Sequence, residues 1–368
     1  MSFPLSGVRV VDLTRLVPGA FASLMLAELG AEVIKVETPG RGDPMRHLPP
    51  RIDGRGIYHL LLDRGKKSVA LDVHEPATAP VLERLLATAD VVLESFRPAT
   101  ARRLGLSAEQ VRARRPAVIH CAVTGYGQTG PYADRAGHDL NYVAVSGLLV
   151  ADRPDATDLP KMFMADVGGG AMAAVIGILA ALVGRHRSGD GAALDISMHE
   201  ASLYWLMLPA ARELVDGGDQ ASGELPTFGR HACYNVYRTK DGERVALGAL
   251  EPKFWAAFCQ AAERPDLVAR QLADPPDQAD LVAEVRALFA SRTRAEWLAS
   301  LTPDLCLTPV NRPAEALVDP HVRARGALVR GHGLHAIRPP FARQIPPLAP
   351  APAVGAHTAE ILRALGPT

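Results

Sequence analysis

The residues best suited to chemistry are a histidine, an aspartate and a glutamate, each placed where a predicted element begins or ends. His138 lies in the block GHDLNY, after a glycine-rich loop that follows a predicted strand. A loop histidine can accept or donate a proton near neutral pH, but it can equally be a structural histidine, and both interpretations stay open. Glu251, in the block GALEP, lies between a predicted strand and a predicted helix, where a carboxylate is favourable for structural reasons alone.

Asp166 precedes three glycines at the start of a long apolar segment, for which we predict a helix over 169–187. Aspartate commonly caps helix N-termini, so a purely structural role is possible. In the catalytic alternative, the glycines let a substrate approach the backbone, and the free N–H groups of the helix start favour negative charge. We expect this setting to stabilise the carboxylate of Asp166, which could act as a base or as a nucleophile.

Two basic segments flank predicted strand ends. Arg64, Lys66 and Lys67 come just before a strand, in DRGKKSVALDV, and Arg97 and Arg103 come just after one, in FRPATARRLGL. Ligands of open α/β sheets bind in the crevice outside the carboxyl ends of the strands. Basic loops there suit a polyanion such as the phosphates of coenzyme A (CoA). A solvated surface is the alternative interpretation of the same charges.

The elements that must position these residues follow a β-α-β pattern, which implies a parallel sheet. The fold class is therefore α/β, with an open Rossmann-like domain in the first half of the chain. The dinucleotide fingerprint G-x-G-x-x-G and the P-loop motif are both absent, which argues against nicotinamide dehydrogenases and P-loop enzymes. The predicted strands are 8–13, 32–36, 68–71, 91–94 and 118–123, and the predicted helices are 19–29, ending at Gly30, and 80–87.

The second half of the chain predicts a smaller domain of a different type. A hairpin is predicted at 235–247, and helices follow it. A polar stretch at 216–224 suits a linker, and a proline-rich tail leads back to the first domain. We therefore predict a large α/β domain over 1–215, completed by 335–368, and a small α+β domain over 225–330.

Composition excludes several classes of function. The 368 residues are 48% hydrophobic, and 40 basic residues balance 40 acidic ones, so nothing global favours nucleic acid or a membrane surface. The four cysteines are far apart and are expected to be buried thiols. No signal-peptide pattern opens the sequence, so we expect a cytoplasmic protein. The uncharged segment 167–184 is long enough to suggest a membrane span, but we predict a buried core helix.

Five blocks, in order along the chain, resemble the superfamily of family III CoA-transferases and alpha-methylacyl-CoA racemases. They are SGVRVVDLTRLVPGAFASLMLAELGAEVIKVE, FRPATARRLGL, TGYGQTGPYADRAGHDLNY, ADVGGGAMAAVIGILAAL and YRTKDGERVALGALEPKFW. The resemblance implies a Rossmann-like large domain that binds CoA, a smaller domain, and two copies of the chain threaded into an interlocked homodimer.

The resemblance also implies the chemistry. Both branches of the superfamily use an aspartate that matches Asp166. Racemases add a histidine that matches His138 and a glutamate that matches Glu251, whereas transferases typically carry an aromatic residue in place of that histidine. The chain therefore looks like a racemase that interconverts the R and S epimers of a 2-methylacyl-CoA by 1,1-proton transfer. The alternatives are CoA transfer between carboxylic acids through an aspartyl intermediate, and a non-catalytic acyl-CoA-binding protein.

CoA is part of the substrate in this interpretation, so neither a separate cofactor nor a metal is expected. The expected partners are an acyl-CoA thioester and a second copy of the chain, without nucleic acid or membrane. Thr38 stands where some racemases carry an arginine near CoA. The residues predicted to contact CoA are Arg64, Lys66, Lys67, Ser95, Phe96, Arg103, Asp139 and Tyr142.

Overall fold

The computed structural model describes residues 3–152, 161–215, 229–299, 305–331, 334–342 and 344–366. The chain divides into two compact units. The large unit comprises Met1–Leu208 and Ala324–Thr368, and the small unit comprises Pro209–Arg323. The predicted linker at 216–224 lies outside the described residues.

Short strands and helices alternate through most of the large unit. In chain order the strands are β1 (Arg9–Leu13), β2 (Glu32–Glu37), β3 (Arg51–Ile52), β4 (Arg55–Gly56), β5 (Lys67–Ala70), β6 (Val91–Glu94), β7 (Ile119–Thr124), β8 (Ala193–Ser197), β9 (Tyr234–Arg238), β10 (Arg244–Gly248), β11 (Leu307–Pro309), β12 (Leu328–Gly331) and β13 (Leu334–Ile337). The helices are α1 (Leu16–Glu28), α2 (Ile57–Leu62), α3 (Ala79–Ala87), α4 (Pro98–Arg103), α5 (Ala108–Arg114), α6 (Asp139–Val145), α7 (Leu148–Asp152), α8 (Met172–Ser188), α9 (Met198–Trp205), α10 (Ala211–Val215), α11 (Pro252–Ala261), α12 (Pro275–Ala290), α13 (Arg294–Ala299), α14 (Pro313–Val318), α15 (Pro320–Ala324) and α16 (Thr358–Ala364). A π-helical segment, Met164–Ala171, runs directly into α8.

A six-stranded sheet, in the order β5-β2-β1-β6-β7-β8, forms the centre of the large unit. All neighbouring strands are parallel. Counted in chain order within this sheet, the strands follow the doubly wound order 3-2-1-4-5-6. The predicted α/β, Rossmann-like class is therefore confirmed. The order reverses between β1 and β6, so the ligand crevice of such a fold lies beyond the carboxyl ends of these two strands.

Helices cover both faces of this sheet, which is why its strands are nearly continuous apolar runs. On one face, Val10 and Leu93 pack against α1 and α8. On the other face, Val11 and Val92 pack with residues of α3, α5 and α16. The C-terminal segment belongs to this second core, since Ile361 is buried there.

The small unit is built on an antiparallel sheet in the order β11-β10-β9. The predicted hairpin at 235–247 is confirmed as β9 and β10. Its core is rich in aromatic rings, with Tyr237 stacked on Phe289 and Trp255 and Trp297 wholly enclosed. These rings come from β9 and from α11, α12 and α13, which fixes the helices on the sheet.

The long apolar helix differs from its prediction. The π-helical segment and α8 together form Met164–Ser188, 25 residues that are long and apolar enough to cross a membrane by length and composition alone. Ala174, Val175 and Ile178 are buried in the core, whereas Ile176 and Val183 are exposed. A buried core helix was expected, but only one face of it packs on the large unit.

Candidate active site

Asp166 lies in the first turn of the π-helical segment rather than at the N-cap of an α-helix. Its backbone N–H donates a hydrogen bond to Oδ1 of Asp139, at 2.8 Å. Burial raises the pKa of Asp166, and the nearby Asp139 carboxylate adds to the effect, so that the pKa reaches about 7. This corrects the expectation that the helix start stabilises the carboxylate, because desolvation and a like charge outweigh the helix dipole.

The three glycines after Asp166 serve the packing of α9. A Cβ atom on Gly168 would lie 2.3 Å from Cη2 of Trp205, and one on Gly170 would lie 2.7 Å from Cγ of Met198. A Cβ atom on Gly169 would lie 3.1 Å from Cβ of Ala201. The space beside these glycines is therefore filled by protein, which corrects the expectation that they leave room for a substrate.

His138 occupies the N-cap of α6, with an extended backbone and an exposed side chain. Its backbone N–H donates to Oδ1 of Asn141 at 3.0 Å, which closes the first turn of the helix. His138 is followed directly by Asp139, the residue that accepts the N–H of Asp166. The segment that carries His138 and the segment that carries Asp166 are therefore in contact through this hydrogen bond.

Tyr142 supports this arrangement from inside the core. Its hydroxyl donates to the carbonyl of Gly137 at 2.6 Å, and its ring meets that of Tyr126 edge to face. Burial raises the pKa of Tyr142 to about 12; Asp166 contributes and Arg97 opposes. The hydroxyl is already engaged, so Tyr142 holds α6 against the glycine-rich loop. Arg97 belongs to the basic segment noted in the sequence but was not selected there as a site residue.

The two basic segments lie at opposite ends of the parallel strands, one at the amino ends and the other at the carboxyl ends. Arg64, Lys66 and Lys67 are at the amino end of β5, whereas Ser95 and the residues after it follow the carboxyl end of β6. A strand of four residues already spans about 13 Å. The expectation that both basic segments line one crevice is therefore wrong. The parallel direction of the strands was enough to predict this, because one segment precedes a strand and the other follows one.

The three cations near the amino end of β5 are already paired with carboxylates. Arg64 forms an ion pair with Glu28, and Nζ of Lys67 lies 2.9 Å from Glu32 and 2.8 Å from Glu360. Lys66 is wholly buried, with Nζ 2.8 Å from Oδ1 of Asp63. Lys66 has no exposed surface to offer a phosphate, so it is not carried into the proposed site.

Lys66 belongs to a buried ionic cluster beneath the start of α1. Lys35 lies 3.0 Å from Asp43 and 3.7 Å from Asp63. Burial opposes ionisation of Asp63, but Lys35 and Lys66, helped by a hydrogen bond from His59, outweigh it and hold the pKa of Asp63 well below its usual value. The members of the ionic cluster are Asp12, Lys35, Glu37, Asp43, Arg46, His59, Asp63 and Lys66.

Of the other residues predicted to contact CoA, Ser95 and Phe96 follow the carboxyl end of β6, and Phe96 lines the cleft there. Ser95 accepts a hydrogen bond from the backbone N–H of Arg15 at 3.2 Å, and the Phe96 ring lies edge to face with His74. Arg103 is exposed in the last turn of α4. Residues that the sequence analysis did not select line the same cleft with Phe96: Leu13, Thr14, Arg15, Thr38, Gly42 and His74. Because ligands bind where strand order reverses, Thr14 and Arg15, which follow β1, could have been predicted from the sequence.

Glu94, the last residue of β6, was not predicted from the sequence as a candidate site residue. Its side chain is fully buried, and Oε2 accepts the N–H of Phe96 at 2.6 Å. Among the residues described, Oε1 has no hydrogen-bond partner. Burial raises the pKa of Glu94 to about 8; the Phe96 bond opposes the rise and Asp195 adds to it. A glutamate closing the apolar run VVLE was the available signal, because a buried carboxyl group needs an explanation.

Glu251 lies in the small unit, at the position before α11. Its backbone is extended and its carbonyl accepts the N–H of Phe254 at 3.0 Å, while its side chain is exposed. The side chain makes no capping hydrogen bond to the helix. A carboxylate that does not cap its helix is available for another role.

Comparisons with known proteins extend over nearly the whole chain. The model of CoA-transferase family III matches residues 5–358. An alpha-methylacyl-CoA racemase of Mus musculus is 36% identical, over 98% of this chain and 93% of that protein. A succinyl-CoA:glutarate CoA-transferase of Mus musculus is 32% identical, over 98% of this chain and 86% of that protein. The crystal structure of a CAIB/BAIF family protein from Brucella suis superposes with a TM-score of 0.84 at 28% identity, covering 99% of this chain and 100% of that one.

Proposed function

The chain belongs to CoA-transferase family III, and we propose that it is a racemase that interconverts the R and S epimers of a 2-methylacyl-CoA thioester. The observation that carries the proposal is the contact between the two blocks, in which Asp139, the residue after His138, accepts the backbone N–H of Asp166. An imidazole serves proton exchange near neutral pH, and the raised pKa of Asp166, about 7, places its carboxyl in the same range. Racemisation needs two such groups, one on each face of the α carbon.

The reaction follows from the two groups. In one direction, neutral His138 removes the α proton and protonated Asp166 delivers a proton to the opposite face, which leaves an imidazolium and a carboxylate. The other epimer reacts by the reverse transfer. Backbone N–H groups near Asp139 would stabilise the enolate oxygen between the two transfers. The resemblance also gives Glu251 a catalytic role, which we retain as part of the proposal.

CoA transfer is the second candidate, favoured by the 32% identity to a succinyl-CoA:glutarate CoA-transferase. Asp166 would then attack the thioester as a nucleophile and become an acyl ester. A nucleophilic carboxylate must be ionised, whereas the burial of Asp166 favours the neutral acid at pH values below 7. This protonation preference supports racemisation over transfer.

One incubation separates these functions. A single 2-methylacyl-CoA epimer in deuterated water should gain α-deuterium and lose its optical purity without any acceptor acid. His138→Ala should abolish net racemisation, although exchange from one epimer can survive through Asp166. An absolute requirement for an acceptor acid, with an acyl-CoA-dependent mass shift on the Asp166 peptide, would establish the transferase instead. A binding protein would give neither result.

The acyl-CoA is proposed to bind at the crevice beyond β1 and β6. Ser95 and Phe96 contribute from the loop after β6, and Arg103 offers an exposed guanidinium to a phosphate. Loss of one charged contact costs about 1.5–3 kcal/mol. Arg103→Ala should therefore raise the KM for acyl-CoA, and an unchanged KM would move the phosphate contact elsewhere.

A second copy of the chain is proposed to cover the exposed apolar face of the large unit. Ile176 and Val183 on α8 and Leu203 and Tyr204 on α9 are all exposed, and grouped exposed apolar side chains mark interaction surfaces. Sedimentation at low concentration should show a dimer that separates only when the protein unfolds. A stable folded monomer, or binding of the protein to neutral lipid vesicles, would contradict this assembly.

A further inference from the structure

The side chain of Asp139 contacts the segment that carries Asp166. Asp139 follows His138 directly in the chain, and its Oδ1 accepts the backbone N–H of Asp166 at 2.8 Å. The first N–H groups of any helix lack partners within that helix. Here the N–H of Asp166, in the first turn of the π-helical segment, takes its partner from a separate helix, α6.

We propose that the Asp139 carboxylate is a positioning residue with two effects: it fixes the turn that carries Asp166, and it places a negative charge beside the Asp166 carboxyl group. This inference rests on the proposed racemase function, because only proton transfer requires a neutral acid at this position. The sequence analysis predicted a CoA contact for Asp139, whereas this inference gives its carboxylate a role toward Asp166 and leaves its backbone N–H for the enolate.

The geometry separates the two effects. The hydrogen bond needs only an acceptor oxygen at Oδ1, whereas protonation of Asp166 depends on the negative charge of Asp139. Among the described residues, neither carboxylate forms an ion pair with Lys or Arg, so no cation offsets their repulsion. Burial comes first and Asp139 second in raising the pKa of Asp166 to about 7.

Other ionisable groups surround the π-helical segment, and none of them replaces Asp139. The segment packs against α1, α6, α8, α9 and β7. Tyr142 on α6 is a phenol whose pKa is raised by burial and then by Asp166, so it stays neutral. Glu28 on α1 is paired with Arg64, and α9 carries His199 and Glu200 near its start. Asp139 is the source of the charge that acts on Asp166.

Two substitutions test the two effects separately. Asp139→Asn keeps an acceptor oxygen and removes the charge, while Asp139→Ala removes both. In the direction in which Asp166 donates a proton, the rate falls as Asp166 ionises at high pH. Asp139→Asn should move that falling limb down by roughly one pH unit. Asp139→Glu should keep the limb near its wild-type position, and Asp139→Ala should also lower the limiting rate.

The control and the second readout keep the test independent of the proposed function. Asp190→Asn removes an exposed aspartate from the turn before β8 and should leave the limb unchanged. The titration of Asp166 can also be followed by carbon NMR of the intact protein without substrate. A fall of the Asp166 midpoint in Asp139→Asn supports the inference even if the wild-type enzyme proves to be a transferase. An unchanged midpoint in that variant would overturn it, whatever the activity.

Discussion

Two groups of carboxylates in the large unit, one buried and one half-buried, differ in what surrounds them. In the ionic cluster, the carboxylates of Asp63 and Glu37 face Lys35, Lys66 and Arg46, and these cations outweigh burial and hold both pKa values low. In the candidate site, Asp166 faces another carboxylate, and burial raises its pKa to about 7. The pKa of the same functional group is thus lowered in one region and raised in the other.

This difference shows that partners, and not burial alone, decide whether a carboxylate is structural or chemically useful. Burial opposes ionisation in both regions, and only the ionic cluster supplies cations to overcome it. An uncompensated carboxyl group lowers stability at neutral pH, and such groups concentrate where chemistry needs a poised acid. The ionic cluster is therefore interpreted as structural and the Asp166 region as functional.

The largest expected effect comes from breaking the ionic cluster. Lys66→Met removes the cation 2.8 Å from Asp63 and leaves that carboxylate buried with one fewer partner. Breaking a buried ion pair by removing one partner costs about 3–5 kcal/mol of unfolding free energy. Denaturant unfolding at fixed protein concentration measures it. A loss below about 1 kcal/mol would show that the cluster is not structural in this sense.

Replacing Asp166 is expected to raise the free energy of unfolding at high pH, whereas replacing Lys66 lowers it. Its folded-state pKa, about 7, lies above the ordinary value of 3.8, so the folded state binds a proton that the unfolded chain releases between these pH values. The wild type therefore loses stability as pH rises from about 4 to about 7, whereas Asp166→Asn does not. At pH 8 the variant should be more stable by about 2 kcal/mol, after discounting for partial exposure. Equal stability of variant and wild type at pH 4 is the control, and a less stable variant at pH 8 would remove the contrast.

The smallest effect is expected at Lys67, whose ion pairs with Glu32 and Glu360 are partly exposed. Such pairs contribute about 0–1 kcal/mol and are screened by salt. Lys67→Ala should change the unfolding free energy by no more than this, and less in 0.5 M salt than in dilute buffer. A loss as large as that of Lys66→Met would mean that the amino edge of β5 is part of the same buried cluster.

The sequence predicts the parallel sheet well for a physical reason. Strands such as β1 and β6 are covered on both faces, so their apolar runs are continuous, and parallel strands require helical connections. The blocks around His138 and Asp166, which we propose to be catalytic, stand out as polar residues at element boundaries. These features depend on local sequence, whereas the contact between the two blocks, from the Asp166 N–H to Asp139, depends on the fold.

What the sequence could not give depends on contacts distant in the chain. Lys66 looks like a surface cation beside Lys67, and only the fold shows that it is buried against Asp63. The glycines after Asp166 suggest access for a substrate, but α9 fills that space. The raised pKa of Asp166 likewise depends first on burial in the fold and then on Asp139, 27 positions earlier in the chain.

The titration of Asp166 by carbon NMR, with Asp166→Asn to assign its signal, tests the central claim most directly. The full-length protein labelled at aspartate carboxyl carbons is titrated from pH 3 to pH 9 without substrate. The account predicts that the assigned carboxyl has its midpoint near pH 7, about three units above its ordinary value of 3.8. A midpoint at or below that ordinary value would mean that Asp166 is ionised in the resting enzyme, which would contradict its role as a proton donor and favour the nucleophile.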